Sequence, residues 1–143
     1  MSAVMAVALI AVGAALLAVI VPRWLQLRRA EFIRTYRWPP GLLERLEKHR
    51  PGLERKNSAL VSRGLRQFFI AYLMSGKRHV SMPSQVADDL WHEFILYTRE
   101  YDAFCRRAFG GFLHHTPAVV LSENRRSNEG LRRVWWYCCK YEN

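Results

Sequence analysis

Residues 1–22 read MSAVMAVALIAVGAALLAVIVP and contain no charged side chain. Ala, Val, Leu, Ile and Met make up nearly all of this stretch. Because an α-helix rises 1.5 Å per residue, about 20 such residues cover the roughly 30 Å hydrocarbon layer of a bilayer. The sequence therefore predicts one N-terminal transmembrane helix over residues 1–22, followed by a domain outside the hydrocarbon layer.

An apolar N-terminal stretch can also be a secretory signal peptide that is cleaved off. Such a peptide has a basic first region, an apolar core of about 7–15 residues and small residues at its cleavage site. Here the apolar run is longer, has no Lys or Arg before it, and ends in Val19, Ile20 and Val21 before Pro22. These features favour an uncleaved, single-pass signal anchor.

Basic residues follow the apolar stretch directly, in a segment over residues 23–38 that we interpret as a juxtamembrane neck. Against a single glutamate, this segment contains five arginines, which are Arg23, Arg28, Arg29, Arg34 and Arg37. The positive-inside rule then predicts an inner-membrane protein whose C-terminal domain is cytoplasmic. Trp24 falls where interfacial aromatic residues are expected. Trp24 and the five arginines could bind anionic lipid headgroups, at roughly 1 kcal/mol for each base.

Composition argues against two classes of protein. The chain has 22 Lys and Arg and 12 Asp and Glu, a net charge of +10, but a basic cluster beside an apolar span is more typical of lipid contact than of nucleic-acid binding. The aromatic run Trp135, Trp136 and Tyr137 is more typical of a helical core and its rim than of a base-stacking platform. Three cysteines without a CxxC pair do not indicate a disulfide-stapled fold.

Residues 39–143 have the apolar periodicity of an all-α domain with four or five helices, and no segment alternates like a strand. Capping residues and glycine or proline stops set the predicted boundaries. The predicted helices are a short one through Leu42 and Leu46, one from Asn57 or Ser58 to Gly76, a long one from Ser84 to Gly110, a short one opened by Thr116-Pro117, and a last one over residues 127–141.

The long predicted helix carries the candidate site. One of its faces is apolar throughout, and Trp91 and Ile95 make its first half apolar nearly all round, so that this half is predicted to be buried. Asp88 and His92, four residues apart, lie one above the other on the remaining side. Ionisable groups rarely enter a protein interior unless they are paired or bound to something, so these two residues could belong to a site.

Two further histidines, His114 and His115, follow the predicted end of the long helix, where the chain could turn back. One of them, with Asp88 and His92, would complete a site for zinc or another transition metal, and Cys105 is a further candidate ligand. The alternative is a structural Asp–His hydrogen bond, with Cys105 as a small core residue. The sequence has no HExxH, zinc-finger spacing, nucleophile elbow or phosphate-binding glycine loop, so it predicts no reaction.

Residues 82–117, MPSQVADDLWHEFILYTREYDAFCRRAFGGFLHHTP, resemble a group of small uncharacterised bacterial proteins and, more distantly, the N-terminal domain of plant glycine-rich domain proteins. The shared pattern is D-x-x-W-H followed by a Tyr, a Cys and a Gly. It is matched here by Asp88, Trp91, His92, Tyr101, Cys105 and Gly110. The bacterial resemblance covers about residues 39–140, whereas the plant one covers only the long helix and its end. It implies no enzyme activity, but it singles out Asp88, Trp91 and His92 as a site.

Three functional hypotheses follow. The first is a membrane-tethered helical adaptor or assembly module that binds a protein partner at the inner membrane face, because no catalytic constellation is visible in the sequence. The second is a metal-dependent site of unknown reaction at the Asp and His residues. The third is a module that senses anionic lipids through the basic neck.

Overall fold

The computed structural model of the protein describes residues 3–115 and 126–141. In these two ranges every regular element is an α-helix, which confirms the all-α fold predicted from the sequence. The helices are α1 (Ala3–Thr35), α2 (Leu42–His49), α3 (Arg55–Met74), α4 (Gln85–Leu96), α5 (Thr98–Phe109) and α6 (Arg126–Tyr141). The short helix predicted to open at Thr116-Pro117 lies outside the described residues.

Helix α1 contains 33 residues and is therefore about 50 Å long. Of the helices in the described ranges, α1 alone is long and apolar enough to cross a membrane, and none of its most apolar window is buried within the protein. A signal sequence near the N-terminus would also meet these criteria of length and composition. The predicted apolar N-terminal helix is thus present, and it extends well beyond residue 22.

The second half of α1 belongs to the helical bundle. The helix passes through Pro22 without ending, and Ala30 and Ile33 are fully buried in the core. Beyond the helix end, Trp38 packs against the same core, and its indole N–H donates to Ser62 Oγ over 2.6 Å. The segment interpreted from the sequence as a neck therefore has one solvent-exposed basic side and one side that is packed into the domain.

Helices α3 and α5 both lie antiparallel to the second half of α1. Near the start of the packed region, Gln26 Nε2 donates to the Leu73 carbonyl at the end of α3, over 3.2 Å. Further along, Arg66 Nη1 donates to the Tyr36 carbonyl over 2.7 Å. On α5, the Phe104 ring lies 4.7 Å from that of Tyr36 between centroids. The C-terminal ends of α3 and α5 therefore point towards the apolar half of α1.

The long helix predicted from Ser84 to Gly110 is wrong in one respect, because it is two helices that meet at Tyr97. Tyr97 has φ −81° and ψ 64°, outside the helical region, and its hydroxyl donates to the Pro40 carbonyl over 3.0 Å. The break turns α5 back, so that Tyr101 and Phe104 reach the ring of Phe94, at centroid distances of 5.2 and 5.4 Å. A straight helix of that length would carry α5 past the core.

The predicted ends of these helices are confirmed. Ser84 caps α4, since its hydroxyl accepts a hydrogen bond from the Ala87 N–H over 3.3 Å. Gly110 ends α5 with φ 76°, in the left-handed region that glycine adopts without a Cβ penalty. Helix α3 begins at Arg55, slightly earlier than the sequence predicted.

The core is built largely from aromatic rings on α3, α4 and α5, each 5% exposed or less. These are Phe68, Phe69, Trp91, Phe94, Tyr101, Phe104 and Phe109. Helix α6 packs on α3 through Val134, which is 2% exposed. At Gly130 a Cβ would lie 2.9 Å from the Ser81 backbone nitrogen, so glycine permits the close approach of α6 to the connector after α3.

Candidate metal site

Asp88, His92 and His115 converge at one edge of α4. His115 Nε2 lies 3.0 Å from Asp88 Oδ1, and His92 Nδ1 lies 3.7 Å from Asp88 Oδ2. The two imidazole rings are 4.3 Å apart between centroids. One potential ligand atom from each residue lies within 4.8 Å of the other two. The structure therefore brings together three of the five candidate residues.

Local structure explains this convergence. Because α4 starts immediately after the Ser84 cap, Asp88 lies in its first turn and His92 follows one turn later on the same face. His115 comes from the segment after α5, which the left-handed turn at Gly110 directs back across α4. The cluster thus combines a helix with the loop that returns to it.

A buried hydrogen-bond chain fixes that returning loop. The Trp91 indole N–H donates to the Tyr101 hydroxyl over 3.0 Å, and that hydroxyl donates to the Leu113 carbonyl over 2.6 Å. Cys105 also interacts with Tyr101 and with the Leu113 backbone. The His115 ring then packs edge-on against Trp91, at 4.4 Å between centroids. Leu113, two positions before His115, is therefore tied to the core, and the His115 imidazole points towards Asp88.

Burial favours the protonated forms of the Tyr101 hydroxyl and the Cys105 thiol. Desolvation raises the pKa of Tyr101 above its usual value, and the nearby Cys105 raises it further. Desolvation likewise raises the pKa of the Cys105 thiol. At neutral pH the Tyr101 hydroxyl therefore retains the proton that it donates to Leu113.

The cluster is more open than the sequence suggested. The side chain of His115 is 10% exposed and that of Asp88 is 21% exposed, but that of His92 is 50% exposed. The prediction that the first half of the long helix is buried all round is therefore wrong. Trp91 faces the core, whereas among the described residues the flank with Asp88 and His92 is covered by the loop that carries His115.

The remaining two candidates lie apart from the cluster. His114 is exposed, and its ring packs against Phe112 at 4.8 Å between centroids. Adjacent residues in extended chain point to opposite sides, which explains why His115 alone of the pair faces Asp88. Cys105 is fully buried among core residues, as the alternative interpretation of this cysteine expected.

Sequence reasoning missed a second set of polar contacts on α4. Glu93 is only 5% exposed, and its carboxylate accepts from Arg45 Nε and lies against His49 Nδ1, each at 2.6 Å. One turn earlier on α4, Asp89 pairs with Arg50, the residue that directly follows α2. The signal was the spacing of four residues between Arg45 and His49, which places both side chains on one face of α2, where they meet Glu93. These pairs dock α2 onto α4.

The candidate lipid-contacting residues of α1 differ in their surroundings. Trp24 is 56% exposed, with the Arg28 guanidinium 5.5 Å from its ring centroid. Arg29 is half-buried, and its Nη1 lies 3.5 Å from the Phe109 carbonyl at the end of α5. The other three arginines, Arg23, Arg34 and Arg37, are exposed.

The ligand set has the chemistry of a transition-metal site. Zinc binds imidazole nitrogen and carboxylate oxygen at about 2.0–2.2 Å, so two ligand atoms on one tetrahedral ion lie roughly 3.4 Å apart. Without an ion, His115 Nε2 is at hydrogen-bond distance from Asp88 Oδ1, 3.0 Å, and His92 Nδ1 lies 3.7 Å from the other carboxylate oxygen, so the two separations fall on either side of that value. Three protein ligands would leave one position of a tetrahedral ion for water or another ligand.

No curated protein and no solved structure matches this chain. One protein family, described as UCP032817-like, matches over residues 28–143. The matched region begins within α1, just before the buried residues Ala30 and Ile33, and includes Asp88, His92 and His115. It thus covers the whole bundle together with the candidate site. The chain belongs to the UCP032817-like family.

Proposed function

We propose that this protein is a membrane-tethered helical module that binds a divalent transition-metal ion, zinc being the best match, through Asp88, His92 and His115. The observation that carries this proposal is the convergence of a carboxylate and two imidazoles within 4.8 Å. Imidazole nitrogen is typical of zinc and other transition-metal sites, whereas magnesium and calcium sites are built from oxygen ligands.

The surroundings of the cluster favour a preorganised site. The hydrogen bonds from Trp91 to Tyr101 and from Tyr101 to Leu113 hold the loop that carries His115 in place before any ion binds. Rigid support of this kind lowers the ordering cost of binding and aligns the ligands. The same residues that the D-x-x-W-H resemblance singles out thus divide into ligands, Asp88 and His92, and a support, Trp91.

One side of the cluster, at His92, is open to solvent, which favours a bound ion that also carries an exchangeable ligand such as water. His92 is half exposed, so water or a small ligand can reach an ion bound beside it. A transition-metal ion with such a position acts as a Lewis acid and lowers the pKa of its bound water. The proposed site is therefore accessible, unlike a closed structural zinc site.

The test is metal binding by the full chain, purified in mild detergent without a polyhistidine tag. Cobalt(II) titration should give visible d–d absorption that saturates near one equivalent, and zinc should displace the signal. His115→Ala should weaken binding by at least about 100-fold, since even outer partners of metal ligands account for 10–100-fold. His114→Ala is the matched control, because that imidazole is adjacent in sequence but lies outside the cluster. Absence of binding in the wild type, or equal losses in the two variants, would refute the site.

Tethering is the second half of the proposal. We infer that α1 is an uncleaved anchor with the bundle in the cytoplasm, because a cluster of arginines directly follows the apolar stretch. The continuity of α1 supports this, since the same helix carries Ile33 into the core. Membrane fractionation with intact-mass measurement should find the full chain in the inner membrane, and protease added from the cytoplasmic side should digest the bundle. A mature protein without the apolar stretch would refute the anchor.

The adaptor role stays a prediction from the sequence. Trp135 and Trp136 on α6 are 63% and 54% exposed, and exposed aromatic residues are frequent at protein interfaces. Cross-linking in cells, followed by purification in mild detergent, should recover one protein in fixed stoichiometry with this chain. Repeated recovery of the bare chain would exclude this role.

A further inference from the structure

One end of the bundle, where α1 emerges towards its apolar half, is strongly basic. The described segments that meet there are residues 22–30, 74–79 and 106–112, and together they contain no Asp or Glu. Their seven bases are Arg23, Arg28, Arg29, Lys77, Arg78, Arg106 and Arg107. By contrast, residues 84–103 carry five acids and one base. Positive charge is therefore concentrated at this end rather than spread over the domain.

The hydrogen bond between Gln26 and the Leu73 carbonyl fixes the level of α3 along α1. Because α3 is antiparallel to α1, the residues that follow Leu73 continue towards the apolar stretch that ends at Val21. Gly76 and Lys77 then turn the chain with φ values of 72° and 63°. Lys77 and Arg78 are exposed at this turn, close to the level of residues 23–26. They thus lie beside the point where the apolar helix begins.

The bases at the end of α5 are more engaged with the protein. Arg106 Nε lies 2.8 Å from Asp102 Oδ2, and the Arg107 guanidinium lies 4.4 Å from the Phe32 ring centroid. Arg29 contacts the Phe109 carbonyl. These three cations also offset the partial negative charge at the helix C-terminus. The bases best placed to act outside the protein are therefore Arg23, Arg28 and Lys77. Arg78 is exposed as well, although its Nε donates to the Ser75 carbonyl over 3.0 Å.

Helix geometry separates these residues from the rest of the basic neck. Arg34 lies twelve residues beyond Pro22 on a continuous helix, about 18 Å further along its axis. Charges separated by more than the Debye length, about 8 Å at physiological salt, are largely screened. Arg34 and Arg37 are consequently too distant to interact strongly with a surface at Pro22. The Arg28 guanidinium, by contrast, reaches back over the Trp24 ring, 5.5 Å from its centroid.

We propose that this basic end of the bundle is a docking surface for anionic lipid headgroups, contacted by Arg23, Arg28, Lys77 and Arg78. The proposal rests on the membrane anchoring of α1 proposed above. Trp24, exposed beside Arg28, lies at the same level and suits the interfacial region. The bundle is then attached to the membrane at two points, the apolar half of α1 and the turn after α3.

The test is hydrogen–deuterium exchange of the full chain in lipid nanodiscs that contain either neutral lipid alone or about one third anionic lipid. Amides of residues 74–79 should exchange more slowly in the anionic discs. In K77Q/R78Q the docking equilibrium should fall about 30-fold, from roughly 1 kcal/mol for each base, so that the difference between the two lipids is lost. R34Q/R37Q is the matched control, with the same change in net charge, and should retain the difference.

Two further measurements keep the outcome clear. Protection of α3 core amides in K77Q/R78Q shows that the bundle is folded, and 1 M salt, with a Debye length near 3 Å, should abolish the lipid difference in the wild type. Equal exchange in both kinds of disc, or an equal loss in the two double variants, would overturn this proposal alone. A chain that does not enter either disc would overturn the anchor together with the docking surface.

Discussion

Replacing Tyr101 with Phe removes one hydroxyl that is central to both the core and the candidate site. The ring is 1% exposed, so Phe retains the packing while the oxygen is lost. The Trp91 N–H loses its acceptor at 3.0 Å, and the Leu113 carbonyl loses its donor at 2.6 Å. A buried group left without a partner costs about 1–3 kcal/mol. With two such groups left without a partner, we expect Tyr101→Phe to destabilise the bundle by at least about 2 kcal/mol.

For a domain of this size that loss lowers the melting temperature by at least about 8 °C. Tryptophan fluorescence of the full chain in nanodiscs, followed on heating, measures it. The released loop should also lower cobalt affinity by about 10–100-fold, because His115 loses its positioning. Tyr97→Phe is the control, since its hydroxyl bonds the Pro40 carbonyl at an exposed position far from the cluster. If the two variants melt alike and bind cobalt alike, the hydrogen-bond chain does not position His115.

Three further substitutions test other parts of the structure. Glu93→Gln should cost about 1–3 kcal/mol in urea unfolding, since a buried carboxylate with two partners on α2 is replaced; an unchanged midpoint would mean that these pairs contribute nothing. Ile33→Ala should cost about 2–5 kcal/mol, whereas Ile20→Ala, on the same helix but 57% exposed, should leave bundle unfolding unaltered. Gly110→Ala should cost about 1–2 kcal/mol because φ is 76° and the new Cβ would lie 3.0 Å from an arginine Nη2. Gly111→Ala, with open space around it, should melt like the wild type.

Capping and stop residues made much of the helix pattern predictable. Ser84 and Gly110 act locally, through a side-chain oxygen and a left-handed φ, so their effect can be recognised from neighbouring residues alone. The break at Tyr97 has no such mark, because neither Pro nor Gly is present. It depends on Phe94 and Phe104 meeting in the core, which is a tertiary contact that periodicity does not contain.

The candidate site divides in the same way. Asp88 and His92 were predictable as a pair, because a spacing of four places them on one helical face. The choice of His115 over His114 was not, since it depends on the path of a loop fixed by Tyr101 and Leu113. The exposure of His92 also escaped prediction, because a helix that is apolar nearly all round can still have one flank covered only by a loop.

Pro22 is the single proline within α1. It supplies no N–H to the carbonyl four residues earlier, so the helix lacks one backbone hydrogen bond at this position. From Gln26 onward the helix is laterally braced by α3 and α5, whereas none of its most apolar window is buried within the protein. Bending is therefore concentrated at one joint, and the braced segment moves with the bundle as a single lever. If the apolar segment rotates about the helix axis without bending at Pro22, the edge of the bundle that carries Asp88 rotates by the same angle.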